Sequence, residues 1–426
     1  MQKINFDEIL IADLHIHSRY SRACSTNINF ENLVKWAKIK GINLLGTGDF
    51  THPLWLKEIK EKLFERNGFY YLGDFPFIIT GEISLIYTQD RGRRIHLVLL
   101  VPNLEIADKI NSYLDTKGRR DYDGRPIFSI PGDEFVREMM KISGDIEIIP
   151  AHIWTPWFGI FGSMSGFDSL KECFKEQIEN IHAIETGMSS DPEMNWRIKE
   201  LENKAIVSFS DAHSFWPFRL GREATIFSKI DSYKELILQI RNKNFIGTIE
   251  TDPAYGKYHF DGHRDCNFSC SPKESKEING ICPVCKKTLT IGVDNRVGKL
   301  ASFPEGHKIE SAKNFYKILP LHEILSLASG TAMESKKVWT LYNSLIAEFG
   351  NEFKILFNVS REEFLGKNID EKLVELILRN REEKIKVKPG YDGEYGKAEL
   401  VKETNSPLCS SYSHKAIIGE KQGKLF

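Results

Sequence analysis

Seven short apolar runs between residues 9 and 211 each carry or lead into an acidic or imidazole side chain, and this recurrence constrains the fold more than any other feature. The runs are ILIADL, NLLGTG, FIITGE, IHLVLLV, IEIIPAH, IHAIET and AIVSFSD. Each has the length of a buried strand. Amphipathic stretches such as NFENLVKWAKIKG and DEFVREMMKIS separate several of them, with Asn29 placed to cap the first and Gly41 just past its end. Strands alternating with helices predict a parallel α/β architecture, and seven such units predict a barrel. In a parallel barrel the C-terminal strand ends converge on one face.

The residues at those ends form a coordination set. The first run delivers Asp13, His15 and His17, and in extended backbone the two histidines point to one side. The others bring Asp49 and His52, Glu82, His96, His152, Glu185, and Asp211 with His213. Imidazoles and carboxylates gathered at one face hold two or three divalent ions such as Zn, Mn or Mg, with a carboxylate bridging. Glu185 reads as a ligand, as a base positioner, or as a group that orients a ligand.

At 426 residues, two or three domains are expected. A net charge of -1 confines any nucleic-acid surface to a local patch. MQKINFDEIL lacks the basic start and apolar core of a signal peptide, and no run approaches the ~20 apolar residues of a membrane span, so a cytoplasmic protein of an archaeal or bacterial cell is expected. Four of the seven cysteines lie in CNFSCSPKESKEINGICPVC. Cys266, Cys270, Cys282 and Cys285 read as one structural four-thiolate zinc site, with His263 as an alternative ligand. The expected organisation is a metal-binding domain over residues 1–255, a zinc module over 256–300, a helical domain over 301–388 and a loop-rich tail over 389–426. The helical expectation rests on SAKNFYKILPLHEILSLAS, SKKVWTLYNSLIAEFG and DEKLVELILRNREEKI.

DLHIHSRYS, GTGDFTH, GE, PAH and SDAH, in this order and spacing, resemble the polymerase and histidinol phosphatase (PHP) family of metal-dependent phosphoesterases. The resemblance covers about residues 8–250 and implies a distorted (β/α)7 barrel with up to three metals. It implies that one metal is bound by His15, His17, Glu82 and Asp211, and a second by Glu82, His96 and His152. A third would use His213 with Asp49 or His52. Two departures bear on that third metal. The family's adjacent D-H is here spread as GDFTH, and a position that is often a ligand is Ala23. Catalysis would rest on His15, His17, Glu82, Asp211 and His213.

The choice of phosphoester follows from what surrounds the metals. A phosphatase acting on a small phosphate ester or nucleotide needs only the barrel and a closed pocket, whereas this chain adds a zinc module and a helical region. Basic loops (Arg91, Arg93, Arg94; Lys117, Arg119, Arg120, Arg125; Lys286, Lys287) suit a phosphate backbone or are solvated faces. Arg19 and Arg22 read equally as phosphate contacts and as surface ion pairs. HIWTPWFGIFG and HSFWPFR place Trp154, Trp157, Phe158, Phe161, Phe215, Trp216 and Phe218 beside metal motifs, where aromatic rings stack on a flipped base or roof the barrel. With GDFTHP, PAHIWTPWFG, the cysteine insert and GYDGEYG, the full chain resembles a DNA-repair branch of the same family. That resemblance implies an endonuclease cutting on the 5′ side of deaminated bases (uracil, hypoxanthine, xanthine) or abasic sites and leaving a 3′-hydroxyl. In the closing KQGKLF, Gln422, Leu425 and Phe426 form part of a Q-x-x-L-aromatic pattern for docking on a sliding clamp (PCNA).

Overall fold

The computed structural model describes residues 5, 6 and 8–399. The clamp-like Gln422, Leu425 and Phe426 therefore lie outside the described residues. All seven expected strands form. They are β1 (Ile9–Asp13), β2 (Leu44–Gly46), β5 (Phe75–Gln89), β6 (Arg91–Val101), β8 (Glu147–Pro150), β9 (Ala183–Glu185) and β10 (Ala205–Val207). Strands not anticipated from the sequence are β3 (Phe64–Arg66), β4 (Phe69–Leu72), β7 (Ile127–Phe128), β11 (Ala224–Ser228), β12 (Gly247–Glu250), β13 (Asp261–His263), β14 (Phe268–Cys270) and β15 (Asn314–Lys317).

The pairing corrects the all-parallel expectation. The main sheet runs β15–β12–β11–β1–β2–β5–β4–β3, with β6, β7 and β8 attached through β5 and β6. β1, β2 and β5 pair in parallel. β5 with β6, β6 with β8, and β11 with both β1 and β12 are antiparallel. The reversal after β5 has a local cause. Only Asp90, in the left-handed region at φ 61°, separates Gln89 from Arg91, so there is no room for the crossover helix that a parallel neighbour requires. β9 and β10 form their own parallel pair. Single backbone bonds tie that pair to its neighbours: Ile153 N–H to the Glu185 carbonyl at 3.2 Å, and His17 N–H to the Ala212 carbonyl at 3.0 Å.

The helices follow their end signals. Asn29 accepts from Asn32 N–H at the start of Phe30–Lys40, and Gly41, at φ 100°, closes it. Leu33, Trp36 and Ala37 of this helix are buried. In SAKNFYKILPLHEILSLAS only Leu321–Ser329 is helical. The preceding residues form β15, in parallel register with β12. Pro320 explains the break, because it disfavours helix in the residue before it while suiting a helix start. Beyond it, helices Lys336–Phe349 and Glu371–Arg381 form as their periodicity predicts. This region is fastened to the sheet side by a fully buried ion pair, Lys40 Nζ to Glu352 Oε1 at 2.6 Å, with Tyr342 donating to the other Glu352 oxygen at 2.9 Å. The tail expected to be loop contributes the strand Lys397–Glu399, paired with Lys386–Lys388. Among the described residues, no helix is long and apolar enough to cross a membrane.

Candidate metal centre

The chain beyond β1 continues extended for several residues, held by the isolated parallel bridge between Ile16 and Ala212. That bridge aligns the HIH segment with SDAH and turns His15 and His17 inward together. Asp13 sits below them as a latch, accepting from Ser210 N–H (3.0 Å), Ser210 Oγ (2.5 Å) and Gly221 N–H (2.8 Å). Burial pushes its pKa up to about 6.

Two ligand groups share Glu82. In the first, donor atoms of His15, His17, Glu82 and Asp211 lie within 4.8 Å of one another; in the second, those of Glu82, His96 and His152 do. His17 Nε2 is 3.0 Å from Asp211 Oδ1 and 3.3 Å from Glu82 Oε2, and His15 Nε2 is 3.5 and 3.6 Å from the same two oxygens. On the other side, Glu82 Oε1 is 2.7 Å from His96 Nδ1 and 3.3 Å from His152 Nε2. Ligands ~2.0–2.1 Å from a tetrahedral ion sit about 3.3 Å apart, so these spacings suit a divalent cation. His15 Nε2 is buried without a hydrogen-bond partner, as an atom reserved for a metal would be. The donor set therefore fits two ions bridged by Glu82. His96 reaches its place from the middle of β6, opposite Ser84, and not from a strand end, because β6 runs antiparallel to β5.

The surroundings orient these donors. Glu185 is not in either group. Its carboxylate takes His15 Nδ1 at 2.9 Å and the His152 backbone N–H at 2.8 Å, so it aims two ligands at once. Burial drives the His15 imidazole toward neutrality, but Glu185, Glu82 and Asp211 outweigh it and hold its pKa well above the ordinary value. Burial likewise opposes charge on Glu82, yet His96, Arg125 and His15 keep its pKa well below the carboxylate range. His96 follows burial, which pushes it down to about 4 despite Glu82. Asp49, His152 and Asp211 all have positive φ (45°, 31° and 48°), a conformation costly for non-glycine residues and concentrated at functional sites.

The third ligand set does not assemble among the described residues. Asp49 bonds His17 Nδ1 through one oxygen (3.0 Å), and through the other takes Ser18 N–H and Oγ (2.6 Å each) and Ser21 Oγ (2.9 Å). One oxygen thus takes three donors, and the other faces His17. His52 turns away, stacked on Tyr20 at 4.3 Å with Nε2 3.3 Å from the Asp121 carbonyl. His213 stands at the rim, its Nδ1 2.8 Å from the Asp211 carbonyl and its ring 4.7 Å from that of His17.

The aromatic expectations divide. Trp154 is fully buried and donates to Asn195 Oδ1 at 2.8 Å, so it is core and offers no stacking face. Phe161, Phe215 and Phe218 are buried as well. Trp216 packs between Trp36 and Trp339 at 5.3 Å from each, cementing the helices. Phe158 lies 4.3 Å from the His96 ring. Trp157 is 42 % exposed, with the Arg94 guanidinium 5.6 Å from its ring. Arg19 is held by Glu58 and the Ile28 carbonyl, whereas Arg22 meets Asp123 through Nε at 3.3 Å with its side chain 75 % exposed. One residue escaped sequence reasoning: Arg125, read as one member of a basic loop, places Nη1 3.0 Å from Glu82 Oε2. Nothing in its sequence context sets it apart from Arg119 and Arg120.

The cysteine module also differs from expectation. The clustered ligand atoms are those of His263, Cys266, Cys282 and Cys285, all within 4.8 Å, with His263 Nδ1 3.5 Å from Cys285 Sγ. Cys270 is not among them; it stands opposite Asp261 in the β13–β14 ladder, two residue pairs beyond His263–Phe268. The resulting spacing, H-x2-C followed after fifteen residues by C-x2-C, has the symmetry of paired zinc knuckles. Left-handed Asn267 and Lys286 (φ 48° and 62°) turn the chain just after each half.

Comparison with known proteins places this geometry. A family model described as the MJ0043 C-terminal domain matches residues 320–384. The uncharacterized protein MJ0043 of Methanocaldococcus jannaschii is 32% identical over 292 residues, 66% of this chain and 34% of the relative, so the chain spans about a third of that protein's length. The uncharacterized protein YqxK of Bacillus subtilis is 26% identical over 406 residues, 91% of this chain and 98% of the relative. Among solved structures, the lesion-specific endonuclease PfuEndoQ from Pyrococcus furiosus superposes with a TM-score of 0.83 at 30% identity, covering 92% of this chain and 95% of that one. An endonuclease Q complex with a 27-mer duplex substrate, an abasic lesion at its active site, matches with the same score and identity, covering 97% of that chain. With identity at this level carried along nearly the whole of both molecules, the chain belongs to the endonuclease Q family.

Proposed function

We propose that this chain is a DNA-repair endonuclease that hydrolyses the phosphodiester on the 5′ side of a deaminated base (uracil, hypoxanthine or xanthine) or an abasic site, with the damaged nucleotide turned out of the duplex. The observation that carries the reading is the convergence of His15, His17, His96, His152 and Asp211 on the two oxygens of Glu82, in a fold shared with a lesion-specific endonuclease. Divalent cations held by these residues supply Lewis-acid charge for the phosphoryl group and lower the pKa of water.

The chain's own groups supply the rest. Glu185 and Asp49 fix the ring orientations of His15 and His17. With Nδ1–H donating to the Asp211 carbonyl, His213 keeps its lone pair on Nε2, the atom that takes a proton from the attacking water. The phosphorus–O3′ bond breaks, leaving a 3′-hydroxyl and a 5′-phosphate. Trp157, exposed and backed by Arg94, offers a stacking face next in the chain to Phe158, whose ring lies against that of His96. His263, Cys266, Cys282 and Cys285 hold one structural zinc. The clamp-docking reading of Gln422, Leu425 and Phe426 rests on their pattern alone, and deletion of 421–426 with unchanged clamp binding rejects it.

The test is a gel assay on end-labelled duplexes bearing uracil, hypoxanthine or an abasic site. Wild type nicks 5′ of the lesion, and His15→Ala and Asp211→Ala do not. Nicking that persists in both variants overturns the assignment. Turnover of histidinol phosphate or a nucleotide, without nicking, replaces it with the small-phosphate phosphatase reading.

A further inference from the structure

Arg125 is built into the rim of the metal centre by the turn that carries it. Gly124 N–H donates to the Tyr20 carbonyl at 3.0 Å, and Thr51 Oγ1 donates to the Gly124 carbonyl at 3.3 Å. A Cβ on Gly124 would collide with Asp49 Oδ2 and Ser21 Oγ. The buried Asp123 carboxylate accepts from the backbone N–H of both Arg22 (3.3 Å) and Arg125 (3.2 Å). On the far side, Ser84 N–H of β5 holds the Pro126 carbonyl at 3.0 Å. The turn is thus clamped on each flank of Arg125, against the HIHSRYS loop and against the strand of Glu82.

The guanidinium is placed but not saturated. Its one side-chain hydrogen-bond partner among the described residues is Glu82 Oε2, at 3.0 Å. It is also the one lysine or arginine there that ion-pairs with a proposed metal ligand. Glu82 is fully buried, whereas the Arg125 side chain is 23% exposed, close to the exposure of Asp211 at 30% and His213 at 33%. These three side chains form the open lip of an otherwise closed cup. Divalent cations held by His15, His17, Glu82 and Asp211 would draw on the same Glu82 carboxylate, which would free N–H donors of the Arg125 fork at the mouth.

We propose that Arg125 is a catalytic residue that donates to a non-bridging oxygen of the scissile phosphate. This rests on the nuclease reading above. The guanidinium neither gains nor loses a proton. It stabilises charge that grows on the phosphoryl oxygens as the phosphorus–O3′ bond breaks.

The test uses the full-length chain, loaded with Mn2+, as wild type, Arg125→Ala and Arg125→Lys. Steady-state nicking of a lesion duplex gives kcat and KM. Hydrolysis of bis(p-nitrophenyl) phosphate reports the same phosphate contact without a lesion. Metal per chain and thermal melting report structure. Arg125→Ala is expected to lower kcat about 10²- to 10³-fold, with KM changed no more than about threefold and metal content equal to wild type. Added methylguanidine should restore at least about tenfold, and Arg125→Lys should fall between the two. A kcat for Arg125→Ala within about threefold of wild type on both substrates overturns the proposal. So does activity lost in proportion to bound metal, or loss that methylguanidine leaves unrepaired. If wild type nicks no lesion yet hydrolyses the bis-ester, the nuclease reading fails and Arg125 is still judged on that ester. If wild type hydrolyses neither, both fall.

Discussion

His17 and Asp49 are joined by a 3.0 Å hydrogen bond between Nδ1 and Oδ1, and the other Asp49 oxygen gathers three donors from Ser18 and Ser21. Asp49 therefore aims His17 from behind. Asp49→Asn should weaken metal binding about 10- to 100-fold, since it removes the acceptor that orients the ring. Competition with a chromogenic chelator measures this. Unaltered affinity would return Asp49 to a purely architectural role.

Trp154 and Trp157 stand three residues apart in one loop and should respond oppositely. Trp154→Ala empties a fully buried site and orphans Asn195 Oδ1, at a cost of about 3–5 kcal/mol seen as a lower Tm. Trp157→Ala should leave Tm nearly unchanged and weaken binding to lesion DNA by ~1–3 kcal/mol, measured by fluorescence anisotropy.

In the zinc module, His263→Ala should release zinc on mild chelation and lower the melting temperature, because a small loop-rich segment depends on its ion to fold. Cys270→Ser should retain a full equivalent of zinc by atomic emission. The reverse ranking would restore the four-thiolate set.

Glu223 is fully buried, with Thr251 N–H 3.3 Å from one oxygen and Ser208 Oγ 3.4 Å from the other; Ser208 Oγ also donates to buried Glu250 at 3.0 Å. Burial pushes the Glu223 pKa up to about 8, against 4.5 unperturbed. Between those values the unfolded chain holds fewer protons than the folded one. Stability therefore falls as pH rises through this window and levels off above it. Glu223→Gln should raise Tm at pH 8 and have little effect at pH 4, by calorimetry at both values.

Local chemistry carried much of this molecule. The seven apolar runs, the Asn29 and Gly41 caps and the ligand types at strand ends were all legible, because each is fixed by a few neighbouring residues. Tertiary choices were not. The direction of β6 depends on a single turn residue, Asp90, and it moves His96 from a strand end to mid-strand. Asp49 and His52 looked like ligands until their hydrogen-bond partners were seen. Trp154 and Trp157 share a composition and a loop, and only packing tells core from surface. Arg125 was hidden among like charges. Its role depends on Gly124 letting two loops touch, which no spacing rule reveals.

Glu82 places one oxygen in each ligand group. Two cations held there would have no pocket wholly their own: the first to arrive would set the carboxylate that the second must use. Loading of the two positions would then be cooperative or antagonistic, and not independent. A titration resolving two unlinked affinities would mean that the glutamate does not serve both.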